Sequence, residues 1–179
     1  MILMKKEEKT LKKNLVYDGK IMRVYNDDVL AANNIKTTRE IIVHKGGVCV
    51  LAVVDGKIPL VKQYRYAFGK EMYELPAGKL ETNENPYEAG LRELEEEVGL
   101  KAESLTSFGF IYPSPGYTNE IDYLYVANNV TKTERHLDPD EDIDVTYFSL
   151  EKLLEMIKSN EINDTKTISL ILKYNESIK

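Results

Sequence analysis

Residues 78–100 read GKLETNENPYEAGLRELEEEVGL, and the second half of this stretch carries the signals of a helix with defined ends. Asn85 is a strong N-cap, Pro86 suits the first helical position, and Glu88 stands where a capping box places its acidic partner. Tyr87, Leu91, Leu94 and Val98 form one apolar stripe at helical spacing, and Gly99 supplies the C-terminal stop. Beside that stripe stand Glu93, Glu96 and Glu97, whose spacings put all three on one side of the helix. Their like charges repel, so taken alone they fit a solvated acidic face. Clustered carboxylate oxygens are also what hard divalent cations such as Mg²⁺ and Mn²⁺ prefer, and Mg²⁺ keeps positions open for water and substrate phosphates.

The flanking sequence predicts the layers around this helix. Short β-like stretches occur at 15–17, 21–25, 27–30 and 38–43, with Asp18-Gly19 as a hairpin signal. Gly46-Gly47 punctuates the chain. Val48 to Val54 then reads as a strand buried on both faces, turned at Asp55-Gly56 into a second strand, Ile58 to Tyr64. After the helix come strand-like pieces at 107–112, 122–127 and 145–149, then two helices at about 150–159 and 165–174. Strands, a helix, strands and two helices imply a mixed α/β layered fold.

Composition narrows the function classes. A chain of 179 residues, 42% hydrophobic and 30% charged, can bury a core without disulfide or metal staples. A net charge of −6 argues against nucleic acid or an anionic membrane as partner. It leaves a small anionic substrate open, because a bound metal reverses the local field. Cys49 is the one cysteine, set in an apolar run, and reads as a small buried hydrophobe. The apolar start at 1–4 is too short for a signal-peptide core, and Val48 to Val54 is far short of a membrane span. These features read as a cytoplasmic protein. His44 and His136 lie in a strand motif and a charged loop and are not read as catalysts.

The whole of residues 78–100 decides between a solvated face and a metal site. Gly78 is followed by Glu84, then by Arg92-Glu93-Leu94-Glu95-Glu96-Glu97-Val98-Gly99-Leu100. This resembles the Nudix box, G-x5-E-x7-R-E-U-x-E-E-x-G-U with U apolar, at every specified position. Seven fixed residues make a chance match on the order of 10⁻⁸ per start position. The resemblance implies a Nudix α/β/α sandwich with a mixed sheet over residues 46–179, preceded by a small antiparallel β segment at 1–45. It implies metal ligation by the carbonyl of Ala77 and the carboxylates of Glu93 and Glu97, with Glu96 as a weaker candidate and Arg92 as a scaffold pairing with the box acids. Gly78 is read as the residue that lets the loop turn tightly. Mg²⁺ is the expected ion, Mn²⁺ the alternative, with two or more ions in the working complex.

Residues around the box resemble the ADP-ribose pyrophosphatase branch: Glu74-Leu75-Pro76-Ala77-Gly78, Gln63-Tyr64-Arg65, the Arg39-Glu40 segment ending in His44 and Gly47, Pro115, and Asp164-Lys166-Thr167. The implied reaction is ADP-ribose plus water to AMP plus ribose 5-phosphate. Arg39 and Glu40 would contact the adenine end from a partner subunit, making a homodimer in which the N-terminal segment is exchanged. Arg65 would hold a phosphate or the terminal ribose, and Glu74 would take part in substrate or metal binding. The branch draws its general base from a late acidic loop, where Glu141 aligns best and Asp140 is the reserve. Hydrolysis of another nucleoside diphosphate sugar such as GDP-mannose is the alternative. A catalytically idle nucleotide sensor is the reading from a different class, and the complete set of box acids weighs against it.

Overall fold

The structure, a computed structural model, describes residues 6–137, 139 and 142–179. The chain divides into two compact units, one of residues up to Lys45 together with Ser114–Glu120, the other of Gly46–Pro113 with Ile121–Lys179.

The first unit is an antiparallel sheet organised on β3 (Met22–Leu30), which pairs with β4 (Lys36–His44) along its full length. On its other edge, β1 (Lys9–Lys12) pairs with the C-terminal end of β3 and β2 (Leu15–Asp18) with the N-terminal end. Asn14 makes the corner between β1 and β2: its side chain donates to Asn26 O at 3.0 Å and Asp28 Oδ2 at 3.1 Å, and its backbone N–H donates to the buried Asp27 Oδ1 at 3.0 Å. The two stretches read at 21–25 and 27–30 are one strand, because β4 keeps pairing across Asn26, opposite Glu40. β1 carries no apolar alternation and every residue in it is exposed, so cross-strand hydrogen bonding rather than burial defines it. Ser114–Glu120 joins this unit on β4: Ile42 N–H donates to Tyr117 O at 2.7 Å, and His44 N–H donates to Asn119 Oδ1 at 2.8 Å. His44 Nδ1 lies 3.1 Å from Glu120 Oε1, so His44 anchors the loop that carries Pro115.

The second unit holds the box. One sheet runs β8 (Ala77–Lys79), β5 (Gly47–Leu51), β10 (Asp122–Lys132), β9 (Leu100–Ile111). Within it β5 and β10 are parallel and the other pairs antiparallel. A second, antiparallel sheet runs β11 (Ile143–Phe148), β6 (Ile58–Arg65), β7 (Lys70–Glu74). The helices are α1 (Pro86–Val98), α2 (Leu150–Lys158) and α3 (Thr165–Ser177).

β5 explains the layering. Val48 and Val50, with Ala52 just past the strand, pack into a core with Ala89, Leu94 and Val98 of α1. The alternate residues, Cys49 and Leu51, pack into a second core with Leu153 and Met156 of α2 and Leu170 and Ile171 of α3. A strand covered by helices on both faces has no polar alternation, which is why 48–54 reads as an unbroken apolar run. The architecture is therefore the expected mixed sheet between helices. β9 starts at Leu100, well before the predicted Ser107: Leu100, Ala102 and Leu105 are buried while Lys101 and Glu103 face out. α1 has the ends its sequence predicts. Asn85 accepts from Tyr87 N–H at 2.9 Å, and Gly99 adopts the left-handed conformation at φ 64°. Among the described residues no helix is long and apolar enough to cross a membrane.

Candidate active site

α1 does not treat its three glutamates alike. Glu93 and Glu97, one turn apart, are 8% and 3% exposed, whereas the Glu96 side chain is 37% exposed. The buried side of the helix is thus wider than its apolar stripe and includes two carboxylates, an arrangement that costs free energy unless each has a polar partner. β8 supplies the seat. Ala77 N–H donates to Glu97 Oε2 at 2.8 Å. An ideal β-carbon on Gly78 would fall 1.8 Å from Glu93 Oε1 and 1.9 Å from its Cδ, so the carboxylate occupies the room that the missing side chain leaves. Gly78 is a strand residue outside the left-handed region. The glycine is therefore explained by close approach of Glu93 and not by the tight turn read from the sequence.

Arg92 binds the acids of the stretch to one another. It takes Glu84 with two bonds, Nε to Oε1 at 2.9 Å and Nη2 to Oε2 at 3.1 Å. Its Nη1 reaches both Glu93 Oε1 and Glu96 Oε2 at 2.8 Å. The guanidinium holds the Glu84 carboxyl below the usual carboxylate range, and the Arg92 guanidinium itself is raised, first by Glu84. Glu84 Oε2 also accepts from Glu81 N–H at 2.8 Å, which fixes the loop ahead of α1.

A second charged group sits just before β8. Glu74 is 2% exposed, and both of its oxygens are engaged: Oε1 by Arg65 Nε at 2.5 Å, Oε2 by Arg65 Nη2 at 2.6 Å and by Lys166 Nζ at 2.5 Å. Lys166 also donates to Asp164 Oδ1 at 2.9 Å. Burial pushes the Glu74 carboxyl up, but Arg65 and Lys166 outweigh it and hold the group below its ordinary value. Burial likewise pulls Lys166 down, and Glu74 with Asp164 more than reverse this. The next residue, Leu75, donates its N–H to the buried Thr167 Oγ1 at 2.8 Å. Cys49 is fully buried, and burial pushes its thiol well up, in keeping with an inert core residue.

The structure thus brings Ala77, Glu93 and Glu97 together on β8 and α1, and Arg65 with Glu74 at the ends of β6 and β7. Arg39 and Glu40 lie on β4, in the other compact unit; Arg39 there pairs with Glu8, Nε to Oε2 at 2.9 Å. Glu141 and the reserve Asp140 lie outside the described residues. The part taken by Lys166 and Thr167 had only the D-x-K-T likeness as a signal, since the groups they meet are 92 residues away in sequence.

The donors gathered at β8 and α1 are all oxygens, which suits a hard divalent cation rather than zinc or copper. Among the described residues no three His, Cys, Asp or Glu side chains are grouped to hold an ion unaided. The family model for the NUDIX domain matches residues 43–170. The chain belongs to the Nudix family. Nudix hydrolases generally need divalent metal ions, and the oxygen donors here fit that requirement. Among curated relatives, the ADP-ribose pyrophosphatase of Bacillus subtilis (strain 168) is 43% identical over 90% of this chain and 89% of its own. The methanol dehydrogenase activator of Bacillus methanolicus is 39% identical over 97% and 96% of the two chains. A solved structure described as "Crystal structure of ADP compounds hydrolase" superposes with a TM-score of 0.85 at 20% identity, covering 96% of this chain and 94% of that one, which shows the shared fold.

Proposed function

We propose that this Nudix protein hydrolyses the diphosphate bond of ADP-ribose to AMP and ribose 5-phosphate, using Mg²⁺, with two or more ions in the working complex. The observation that carries the reading is the buried pair Glu93 and Glu97 seated on the β8 backbone, with Arg65 and Glu74 on the strands that lead to it. Glu93, Glu97 and the Ala77 carbonyl would hold metal. A protein that offers few ligands leaves Mg²⁺ to complete its shell with water and substrate phosphates, which is its usual habit. A divalent metal held by these residues would supply charge neutralisation of the diphosphate and activation of a water. The chain's own residues orient the reactants: Arg92 fixes the box acids, Arg65 takes an anionic or ribose oxygen of the substrate, and Glu141, with Asp140 in reserve, accepts the proton of the attacking water.

The substrate assignment rests on Glu74-Leu75-Pro76-Ala77-Gly78, Arg65 and Pro115, and on the name of the Bacillus subtilis relative. Identity alone would not assign it, since a relative of similar identity is named for activating another enzyme. Arg39 and Glu40 are proposed to meet the adenine end from a partner subunit. A homodimer is supported by the first unit, where Leu15, Val16, Tyr17 and Val43 on the sheet, with Ile21 and Ile35 beside it, are all exposed.

The test is a panel of ADP-ribose, GDP-mannose and other nucleoside diphosphate sugars with Mg²⁺, with products identified. AMP and ribose 5-phosphate in equal amounts are expected. No AMP from ADP-ribose beside turnover of another sugar nucleotide would move the assignment to that substrate.

A further inference from the structure

Four charged side chains form one chain of contacts in the second unit: Arg65, Glu74, Lys166 and Asp164. Their exposure is uneven. Glu74 is 2% exposed, Asp164 and Lys166 are 16% and 17%, and Arg65 is 37%. Arg65 is the member a ligand can reach. Glu74 meets it side-on through Nε and Nη2, so Nη1 of the planar guanidinium points away from Glu74. With Glu74 alone, Arg65 would be a closed ion pair with little attraction left for an anion. Lys166 alters that balance, because it places a second positive charge on Glu74 Oε2 from the α3 side. Asp164, the N-cap of α3, in turn tempers Lys166.

We infer that Lys166 is a positioning residue for Arg65: by sharing the Glu74 carboxylate from behind, it leaves the Arg65 guanidinium able to take an anionic oxygen of the substrate. The inference rests on the proposed role of Arg65 in a nucleoside diphosphate hydrolase. It gives the Asp164-Lys166-Thr167 segment a function and makes Glu74 a buried counter-ion, acting on substrate through Arg65. Thr167 contributes by holding Leu75, so α3 fixes both the charge and the backbone ahead of β8.

The experiment is steady-state kinetics on the full chain with Mg²⁺ and whichever nucleoside diphosphate the panel shows to be turned over. Removing a group that orients a metal ligand commonly costs roughly 10- to 100-fold, and the lower end of that scale is expected for a group that orients an anion-binding arginine. Lys166→Met is expected to raise KM by about 10-fold with kcat little changed, and Lys166→Arg to restore it. Asp164→Asn is expected to lower KM, since Asn caps α3 as well as Asp while Lys166 loses its tempering charge. A merely structural role for the network predicts no fall in KM from Asp164→Asn. In an Arg65→Gln background, Lys166→Met should add no further rise. An unchanged KM in Lys166→Met, or an equal rise in the Arg65→Gln background, overturns the inference. Should Lys166→Met fail to fold, an unchanged or raised KM in Asp164→Asn overturns it alone. Turnover of another sugar nucleotide but not ADP-ribose defeats the proposed substrate and leaves the Lys166 comparison to be read on that compound. Turnover of none defeats both.

Discussion

The carboxylate of Glu93 fills the space that a β-carbon on Gly78 would take, with Oε1 1.8 Å from the ideal Cβ position. Helix and strand are therefore fitted to each other through a side chain that is present and one that is absent. The same strand residue pair, Ala77-Gly78, also seats Glu97 through the Ala77 N–H.

Gly78→Ala is the substitution that addresses this fit. The clashing atoms belong to the end of a flexible side chain, so the fold should survive with a melting temperature lowered by no more than about 5 °C. The displaced Glu93 should cost about 100-fold in kcat. Thermal melting and steady-state kinetics on the same preparation check both. Near-normal activity would mean that the position of Glu93 does not matter to the reaction.

Glu74 gives a pH prediction for stability. Its folded-state pKa lies below the ordinary carboxylate value, because Arg65 and Lys166 outweigh its burial. Its contribution is then fully present above the unfolded value and is lost as pH falls through the lower, folded one. Denaturant unfolding at pH 6, 4 and 3 should show a steeper acid loss in the wild type than in Glu74→Gln, which has no proton to take up there. Parallel losses would mean that Glu74 contributes nothing to the acid response.

The proton-accepting role proposed for Glu141 predicts that Glu141→Gln loses about 100-fold in kcat while Mg²⁺ affinity stays near wild type. Asp140→Asn should lose far less. The reverse order would transfer the role to Asp140, and two active variants would remove the base from this loop.

The exposed apolar residues of the first unit predict self-association. Sedimentation should give a dimer at micromolar concentration, and Val16→Lys, at a position 67% exposed, should shift it toward monomer. A monomeric wild type would end the proposal that Arg39 and Glu40 act from a partner subunit.

Legibility of the sequence followed the physics of each element. α1 could be read to the residue, since Asn85 and Gly99 cap it through local chemistry that lies within a few positions. The burial of both faces of β5 showed as an unbroken apolar run, although the strand itself ends at Leu51. β1 left no trace, because cross-strand bonding to β3 defines it and its own side chains face out. In the site, spacing put Glu93, Glu96 and Glu97 on one side of α1, yet it could not show that two are buried and the third lies half in solvent. That difference comes from β8, which local sequence does not place against α1. The link from Glu74 to Lys166 spans 92 residues, and pairing at that distance is set by how α3 packs.

The most direct measurement of the central claim is AMP release from ADP-ribose across a Mg²⁺ titration, by the wild type and by Glu97→Gln. Gln can still accept from Ala77 N–H, so the variant isolates the lost charge from the lost hydrogen bond. The wild type should be silent in chelator, recover on adding Mg²⁺, and exceed Glu97→Gln by about 100-fold at saturation. Turnover that survives chelation, or a Glu97→Gln rate near the wild type's, would contradict the assignment of Glu93 and Glu97 as the residues that hold metal on the diphosphate.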